Sequence, residues 1–428
     1  MELGKELIVK IERFNNEGEG VALFDNFVIF IKDALIDEEV KVKIVEVKKN
    51  YAKAKLLEIL IPSNKRKIPL CPFYELCGGC DIMHMDNELQ LEFKKKKIED
   101  VFKKVCQLDI KVKEICSFNN LYYRNKVTLR VEGNQLGYYK TKSNSLVDIN
   151  ECIICDKLIN EIIFKIREFI NHYKKYGIDK IFLYDNNDLN GENFDFLNHD
   201  NNSDFIQIIN CRGKKEAQKN AYYDCYTKNF NKYKWVLFID IDEYISLYNY
   251  DNIHNYLSQA KFIKCKSIYL NWVIHSDNDL LFYDNRTLKE RFPKIISNQN
   301  HIFGKSLVRG NIQNIHITSV HLIDNNLKRC DGFGRLFKIH PFNNNNTLFD
   351  LKYNYIDHYQ YKSLEEFVKK INLKGDGIYI SNIKLKYEKV IRYLINNRLT
   401  QYKIDYICKN CGLNYSYIME KLNIEWII

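Results

Sequence analysis

Chain breakers are scarce in this sequence, which holds 5 prolines and 17 glycines in 428 residues. That scarcity argues against long disordered stretches, and 46% hydrophobic with 28% charged residues is the balance of an ordinary folded protein. Also missing are an apolar run near the ~20 residues of a membrane span and an apolar segment behind a basic N-terminus. We therefore expect a cytoplasmic protein without a transmembrane segment. The length suits two or three domains, each with its own core.

The net charge of +10 says little about nucleic acid by itself. Residues 1–170 carry 29 basic and 27 acidic side chains, which leaves most of the excess, 36 against 28, in the remainder. The basic runs Lys65-Arg66-Lys67 and residues 94–97 read as solvated faces. The chain has 13 cysteines and no secretion signal, which points to thiols or metal ligands in a reducing compartment.

Residues 1–62 alternate like short strands at 6–14, 20–23, 27–31, 39–47 and 52–59, with turn chemistry at Asp25-Asn26. Five such strands suit an OB-like β barrel. The run Gly18-Glu19-Gly20-Val21-Ala22, with Phe30 and residues 33–40, resembles the TRAM domain, an RNA-binding module of RNA-modifying enzymes. In residues 63–165 the cysteines Cys71, Cys77 and Cys80, with two glycines between them, can bring three thiolates to one centre, an iron–sulfur cluster or zinc. Cys152 and Cys155 are the candidates for a fourth ligand.

These cysteines, with Tyr122-Tyr123-Arg124-Asn125-Lys126, Leu136-Gly137-Tyr138-Tyr139 and Val147-Asp148 ahead of Cys152, resemble iron–sulfur RNA uracil-C5 methyltransferases. The resemblance implies a [4Fe-4S] cluster on Cys71, Cys77, Cys80 and Cys152, and contact with structured RNA. It stops near residue 160. No Gly-rich loop for a methyl donor, no cysteine in a proline-rich loop and no base glutamate follows, so methyl transfer is not expected. Cys211 reads as a packed thiol.

From residue 166 strands and helices alternate as in an α/β layered sheet, with strands at 178–183, 205–210 and 233–239 and a helix at 214–229. The strand at 235–239 runs into Asp240, Asp242 and Glu243. Alternation along a strand would put Asp240 and Asp242 on one side, where two carboxylates suit a hard divalent cation. The other reading of these acids is a helix N-cap with an acidic first turn.

An ordered set of motifs resembles GT-A glycosyltransferases, closest to the family 92-like group. It comprises residues 177–188, Gln218 with Asn220-Ala221-Tyr222, residues 235–244, Asn271-Trp272, Arg286 with Glu290-Arg291-Phe292, Lys305-Ser306 to Arg309, Val320-His321, His358-Tyr359 and Lys362-Ser363. The resemblance implies a mixed-sheet α/β domain over 166–428 that transfers a sugar from a nucleotide-sugar donor to a glycan acceptor. It makes Asp240 and Asp242 the Asp-x-Asp pair for Mn2+ or Mg2+, and His358 a late metal ligand. Asp185, Asn186 and Asn187 would meet the nucleotide sugar, and Arg286 and Arg309 its diphosphate. Asp277 and Asp279 are the candidates for the catalytic base. The family's opening strand is missing, because residues 155–170 continue a helix from the preceding half. Cys408 and Cys411 near the C-terminus read as helix-packed thiols. The fold class expected is thus multidomain α/β plus β. The alternative function is an RNA-binding protein, or a truncated 23S rRNA uracil-C5 methyltransferase without its catalytic domain.

Overall fold

The structure is a computed structural model that describes residues 1–132, 135–141, 143–186, 205–214, 217–296, 303–323, 326–337, 354–372 and 383–422. It divides into two compact units, Met1–Arg130 with Gln135–Asn160, and Val131–Asn134 with Glu161–Ile428.

In the first unit six strands, β1 (Glu6–Lys10), β2 (Arg13–Phe14), β3 (Gly20–Phe24), β4 (Phe27–Ile31), β5 (Glu39–Val47) and β6 (Tyr51–Ile61), form one sheet in the order β1-β5-β6-β4-β3-β2. The alternation seen in sequence buries Leu7, Val9, Val40, Val42 and Ile44 on its inner face. Asp25 and Asn26 turn the β3–β4 hairpin with φ of 51° and 62°, a left-handed pair that Asp and Asn tolerate. Segment 6–14 is two strands rather than one. The amide of Ile11 donates to Glu38 and that of Glu12 to Val21, so the chain changes partner midway. Arg66 is likewise not part of a solvated face, because its Nε lies 2.5 Å from the fully buried carboxylate of Glu38.

Helix α1 (Asn87–Val105) starts where Asp86 accepts from the Leu89 amide. Strand β7 (Arg130–Glu132) precedes a hairpin of β8 (Gln135–Tyr139) and β9 (Leu146–Asp148). Helix α2 (Lys157–Lys175) is the single continuous helix expected across 155–170.

In the second unit β10 (Ile181–Asp185) and β11 (Ile206–Asn210) pair in parallel as a sheet of their own. Helix α3 (Ala217–Lys228) leads to β12 (Trp235–Leu237) and β13 (Glu243–Ser246). After the short α4 (Ile253–Leu257) comes β14 (Ser267–Ile274), the spine of a mixed seven-stranded sheet with seven of its eight residues buried. One edge of β14 pairs antiparallel with β15 (Gly304–Arg309), which follows α5 (Leu288–Arg291). The other edge forks: Ser267 to Tyr269 pair in parallel with β16 (Arg329–Asp331), and Trp272 to Ile274 in parallel with β18 (Tyr355–His358). Strand β17 (Leu336–Phe337) extends the first branch, β13 the second, and β12 lies outside β15. A Cβ on Gly304 would sit 2.0 Å from the Leu270 carbonyl, so β15 can open only with glycine.

Helices α6 (Leu364–Asn372), α7 (Ile383–Asn396), α8 (Gln401–Cys411) and α9 (Tyr415–Leu422) complete the unit. They bury Phe367, Val390, Leu394, Ile404 and Ile407 in one cluster with Ile268, Leu270 and Ile356 of the sheet. Not anticipated was a disulfide between Cys265 and Cys330, which joins the approach to β14 to β16.

Two expectations about the acids are corrected. Strand β12 ends at Leu237 rather than at residue 239, so strand alternation does not reach Asp240 and Asp242. The next element is β13, not a helix, which removes the N-cap reading.

Candidate active site

Asp240 and Asp242 occupy the tight turn between β12 and β13, closed by the Glu243 amide donating to the Asp240 carbonyl. Because the chain turns there, the two carboxylates meet different partners. Asp240 accepts from Gln218 Nε2 at 2.5 Å and from Lys305 Nζ at 3.1 Å. Gln218 and Tyr222 lie one turn apart on α3, and the Tyr222 hydroxyl is 3.1 Å from the same ammonium. Lys305 sits fully buried on β15, 3.6 Å from Glu243. Burial opposes its charge, but Glu243, Tyr222 and Asp240 raise its pKa above the ordinary lysine value. Burial also pushes the Glu243 carboxyl well up.

Asp242 is anchored by its carbonyl, which accepts the Tyr359 amide at 3.0 Å just beyond β18. Its Oδ2 lies 3.2 Å from Lys370 Nζ and 3.6 Å from Lys362 Nζ, and its Oδ1 lies 3.8 Å from His358 Nε2. Burial works against the carboxylate, yet Lys370, Lys362 and His358 hold it well below the usual range. Burial takes His358 down to about 3, which makes it a neutral imidazole near neutral pH. The Trp272 ring joins the two halves, 4.1 Å from the His358 ring and 6.0 Å from Lys305 Nζ. Among the described residues, the buried atoms Trp272 Nε1 and His358 Nδ1 have no hydrogen-bond partner.

Two carboxylates and a neutral imidazole are a donor set of the kind that suits Mn2+ or Mg2+, with His358 Nε2 on the side of Asp242. As the side chains stand, no group of three or more His, Cys, Asp or Glu among the described residues is arranged to hold a metal ion.

The other expected residues are dispersed. Asp185 is buried with its Oδ2 2.8 Å from Arg212 Nε, Asn186 is exposed, and Asn187 lies outside the described residues. Arg286 bonds to Asp284, and Arg309 donates to the carbonyls of Cys265 and Phe262 while stacking on Trp235, so neither is aimed at a diphosphate. Asp277 is 1% exposed, accepting from Tyr393 at 2.5 Å and Lys403 at 2.7 Å. Those bonds commit it to anchoring α7 and α8, whereas a base needs a lone pair facing its substrate. Asp279 shares Lys403 at 3.1 Å and keeps 37% of its side chain exposed. Gln218, Tyr222, Trp272, Lys305 and Lys362 fell within the quoted motifs without being assigned to the site. Lys305 sits between Gly304 and Ser306 at the start of its strand, and no local pattern marked it.

In the first unit Cys71, Cys77, Cys80 and Cys152 line one pocket with Arg124 and Tyr138. Burial raises the Cys80 thiol to about 11. Cys152 is drawn down to about 6, chiefly by a hydrogen bond from Cys155. Four soft sulfur donors around one pocket are the ligand chemistry of an iron–sulfur cluster or zinc, although as the side chains stand they too are not gathered closely enough to hold one. Cys155 is fully buried, its sulfur 3.4 Å from the Tyr138 hydroxyl. Cys211 is buried as expected, its sulfur 3.2 Å from the Asp185 carbonyl.

The second unit is thus an α/β unit with an acid-bearing turn beyond a sheet strand, beside buried lysines and a histidine. The pattern of glycosyltransferase family 92 matches residues 153–392, more than half of the chain, and the chain belongs to that family. The TRAM domain matches residues 1–57. Over 180 residues the chain is 36% identical to an uncharacterized RNA methyltransferase of Clostridium acetobutylicum, covering 40% of this chain and 39% of that one. One from Clostridium tetani is 38% identical over 168 residues, covering 38% and 36%. Among solved structures, the Pyrococcus abyssi tRNA (uracil-54, C5)-methyltransferase is 27% identical, covers 39% of this chain and 37% of its own, and has a TM-score of 0.31. The chain thus spans about two fifths of the length of the curated relatives it matches. Its composition is chimera-like, with a methyltransferase-type front and a glycosyltransferase back.

Proposed function

We propose that the second unit is a metal-dependent glycosyltransferase of the GT-A type, using a nucleotide-sugar donor and a glycan-type acceptor. The observation that carries this reading is Asp242, a buried carboxylate kept ionised by its neighbours and 3.8 Å from a neutral His358. Asp240, Asp242 and His358 would hold the cation. When bound, it stabilises the negative charge that collects on the departing diphosphate. Lys305 holds Asp240 in place, and Tyr222 and Gln218 fix that pair from α3. The Tyr359 amide fixes the backbone of Asp242. Asp185 and Asn186 are proposed for the nucleotide-sugar side, and Asp279, the more open of the two candidate acids, for the proton of the acceptor hydroxyl.

The test is incubation with Mn2+ and a panel of nucleotide sugars, following hydrolysis and transfer. Metal-dependent turnover that falls by about a hundredfold or more in Asp242→Ala is expected. No turnover with any donor, or turnover indifferent to that substitution, would sink the assignment.

A second reading concerns the first unit, because its TRAM match and its methyltransferase-like relatives favour RNA as its ligand. Cys71, Cys77, Cys80 and Cys152 would hold a [4Fe-4S] cluster, whose contribution there is a cross-link between distant turns. Filter binding of structured RNA at several salt concentrations tests it. An affinity no better than for an unrelated polyanion would count against specific recognition.

A further inference from the structure

Asp240 and Asp242 bring two negative charges to the site, and three ammonium groups already meet them. Lys305 lies 3.1 Å from Asp240, while Lys370 and Lys362 lie 3.2 and 3.6 Å from Asp242. With Glu243 also 3.6 Å from Lys305, three carboxylates face three ammoniums, and little negative charge is left over to draw a lone divalent cation out of water. The surplus is local: at Asp242 one carboxylate faces two ammoniums, an arrangement that suits a second anion.

Two features single out the lysines on Asp242. Lys362 has a left-handed backbone with φ of 56°, an uncommon state for a residue with a β-carbon, and it directs a largely buried ammonium at the carboxylate. Lys370 reaches the same oxygen from α6 with 52% of its side chain exposed, so it meets both solvent and site. Beside them the buried Trp272 Nε1 and His358 Nδ1 have no partner among the described residues. The two arginines that the sequence suggested for phosphate are engaged elsewhere.

Resting on the glycosyltransferase reading above, we propose that Lys362 and Lys370 are the diphosphate-binding residues of the donor site and guard Asp242 until a diphosphate arrives. An ammonium is a point-charge partner for phosphate and can exchange one oxyanion for another without changing its own state. As the lysines exchange Asp242 for phosphate oxygens, the carboxylate would become available to a cation that accompanies the diphosphate. Cation and diphosphate therefore bind with positive coupling, and by linkage each strengthens the other equally.

The test uses the full chain, with Mn2+ alone, UDP or inorganic pyrophosphate alone, and each pair. Melting temperature and tryptophan fluorescence are the readouts. Either ligand alone is expected to shift melting little, whereas the pair raises it by several degrees and tightens each ligand about tenfold or more. In Lys370→Met, diphosphate affinity should fall about tenfold, Mn2+ alone should bind more tightly than to the parent, and the coupling should shrink toward unity. Lys362→Met should move in the same direction. If it fails to fold, as circular dichroism would reveal, the partly exposed Lys370 decides alone. Mn2+ binding the parent chain equally well with and without diphosphate would overturn the proposal, as would coupling unchanged in Lys370→Met. Nucleotide-sugar turnover lost in Asp242→Ala while coupling ignores the lysines defeats this proposal and leaves the glycosyltransferase reading. Coupling that follows the lysines without turnover of any donor defeats that reading instead.

Discussion

The ammonium of Lys305 lies 3.1 Å from Asp240 and 3.6 Å from Glu243, so one fully buried cation ties together the two acids that bracket the turn. Replacing it with methionine keeps the length and removes the charge, leaving Glu243 buried without a counter-ion. Lys305→Met should cost about 3 kcal/mol in urea denaturation. A raised lysine pKa gives stability that is fully present below the unfolded value of ~10.4 and is lost as pH rises through the folded value. The parent should therefore weaken above that pH, and the variant should lack this part of the slope.

His172 on α2 is expected to make the fold acid-sensitive. Burial depresses it to about 4, although its ring donates to the Ile245 carbonyl at 2.9 Å. Its stabilising share is fully present above the unfolded pKa of ~6.5 and is lost as pH falls toward the folded value. His172→Gln should flatten stability against pH in that window by up to about 1.4 kcal/mol per unit, read by chemical denaturation at stepped pH.

Asp277 and Asp279 should separate by phenotype. Asp277→Ala leaves the buried Lys403 with only the part-exposed Asp279 and the Tyr393 hydroxyl without its acceptor, and should destabilise by about 3 kcal/mol, seen as a lower melting temperature. Asp279→Asn, at a part-exposed position, should leave melting nearly unchanged and lower transfer if it serves the acceptor hydroxyl. Equal melting losses in both variants would make the pair purely structural.

The cysteine pocket can be read by colour and metal content. Anaerobic purification should give brown protein with about four irons per chain. Cys152→Ser should lose most of the iron, whereas Cys155→Ser should retain it. Zinc in place of iron would redirect the assignment to a thiolate zinc site.

Much of this was legible in sequence because it is local. Alternation located the N-terminal strands, and the uninterrupted apolar spacing from residue 157 located α2. The acid turn was found, but not its geometry, since strand length depends on pairing with β15 rather than on apolar runs. Ion-pair partners were the least visible. Asp242 meets Lys370 across 128 positions, and Asp277 meets Lys403 across 126, separations at which periodicity carries no information. Arg309 was hidden for the same reason, since its carbonyl partners lie 44 and 47 positions away, whereas Arg286 pairs with Asp284 only two residues back.

The disulfide gives Cys265 and Cys330 a different chemical lifetime from the four cysteines around the pocket. Thiol exchange needs an attacking thiolate to reach sulfur, and Cys265 and Cys330 are 1% and 0% exposed. The four cysteines around the pocket are all partly exposed and within reach of oxidants and reductants. A reducing, oxygen-free preparation can therefore protect the one set while the other keeps its bond behind the core. Air would be the harsher solvent for this molecule than dithiothreitol.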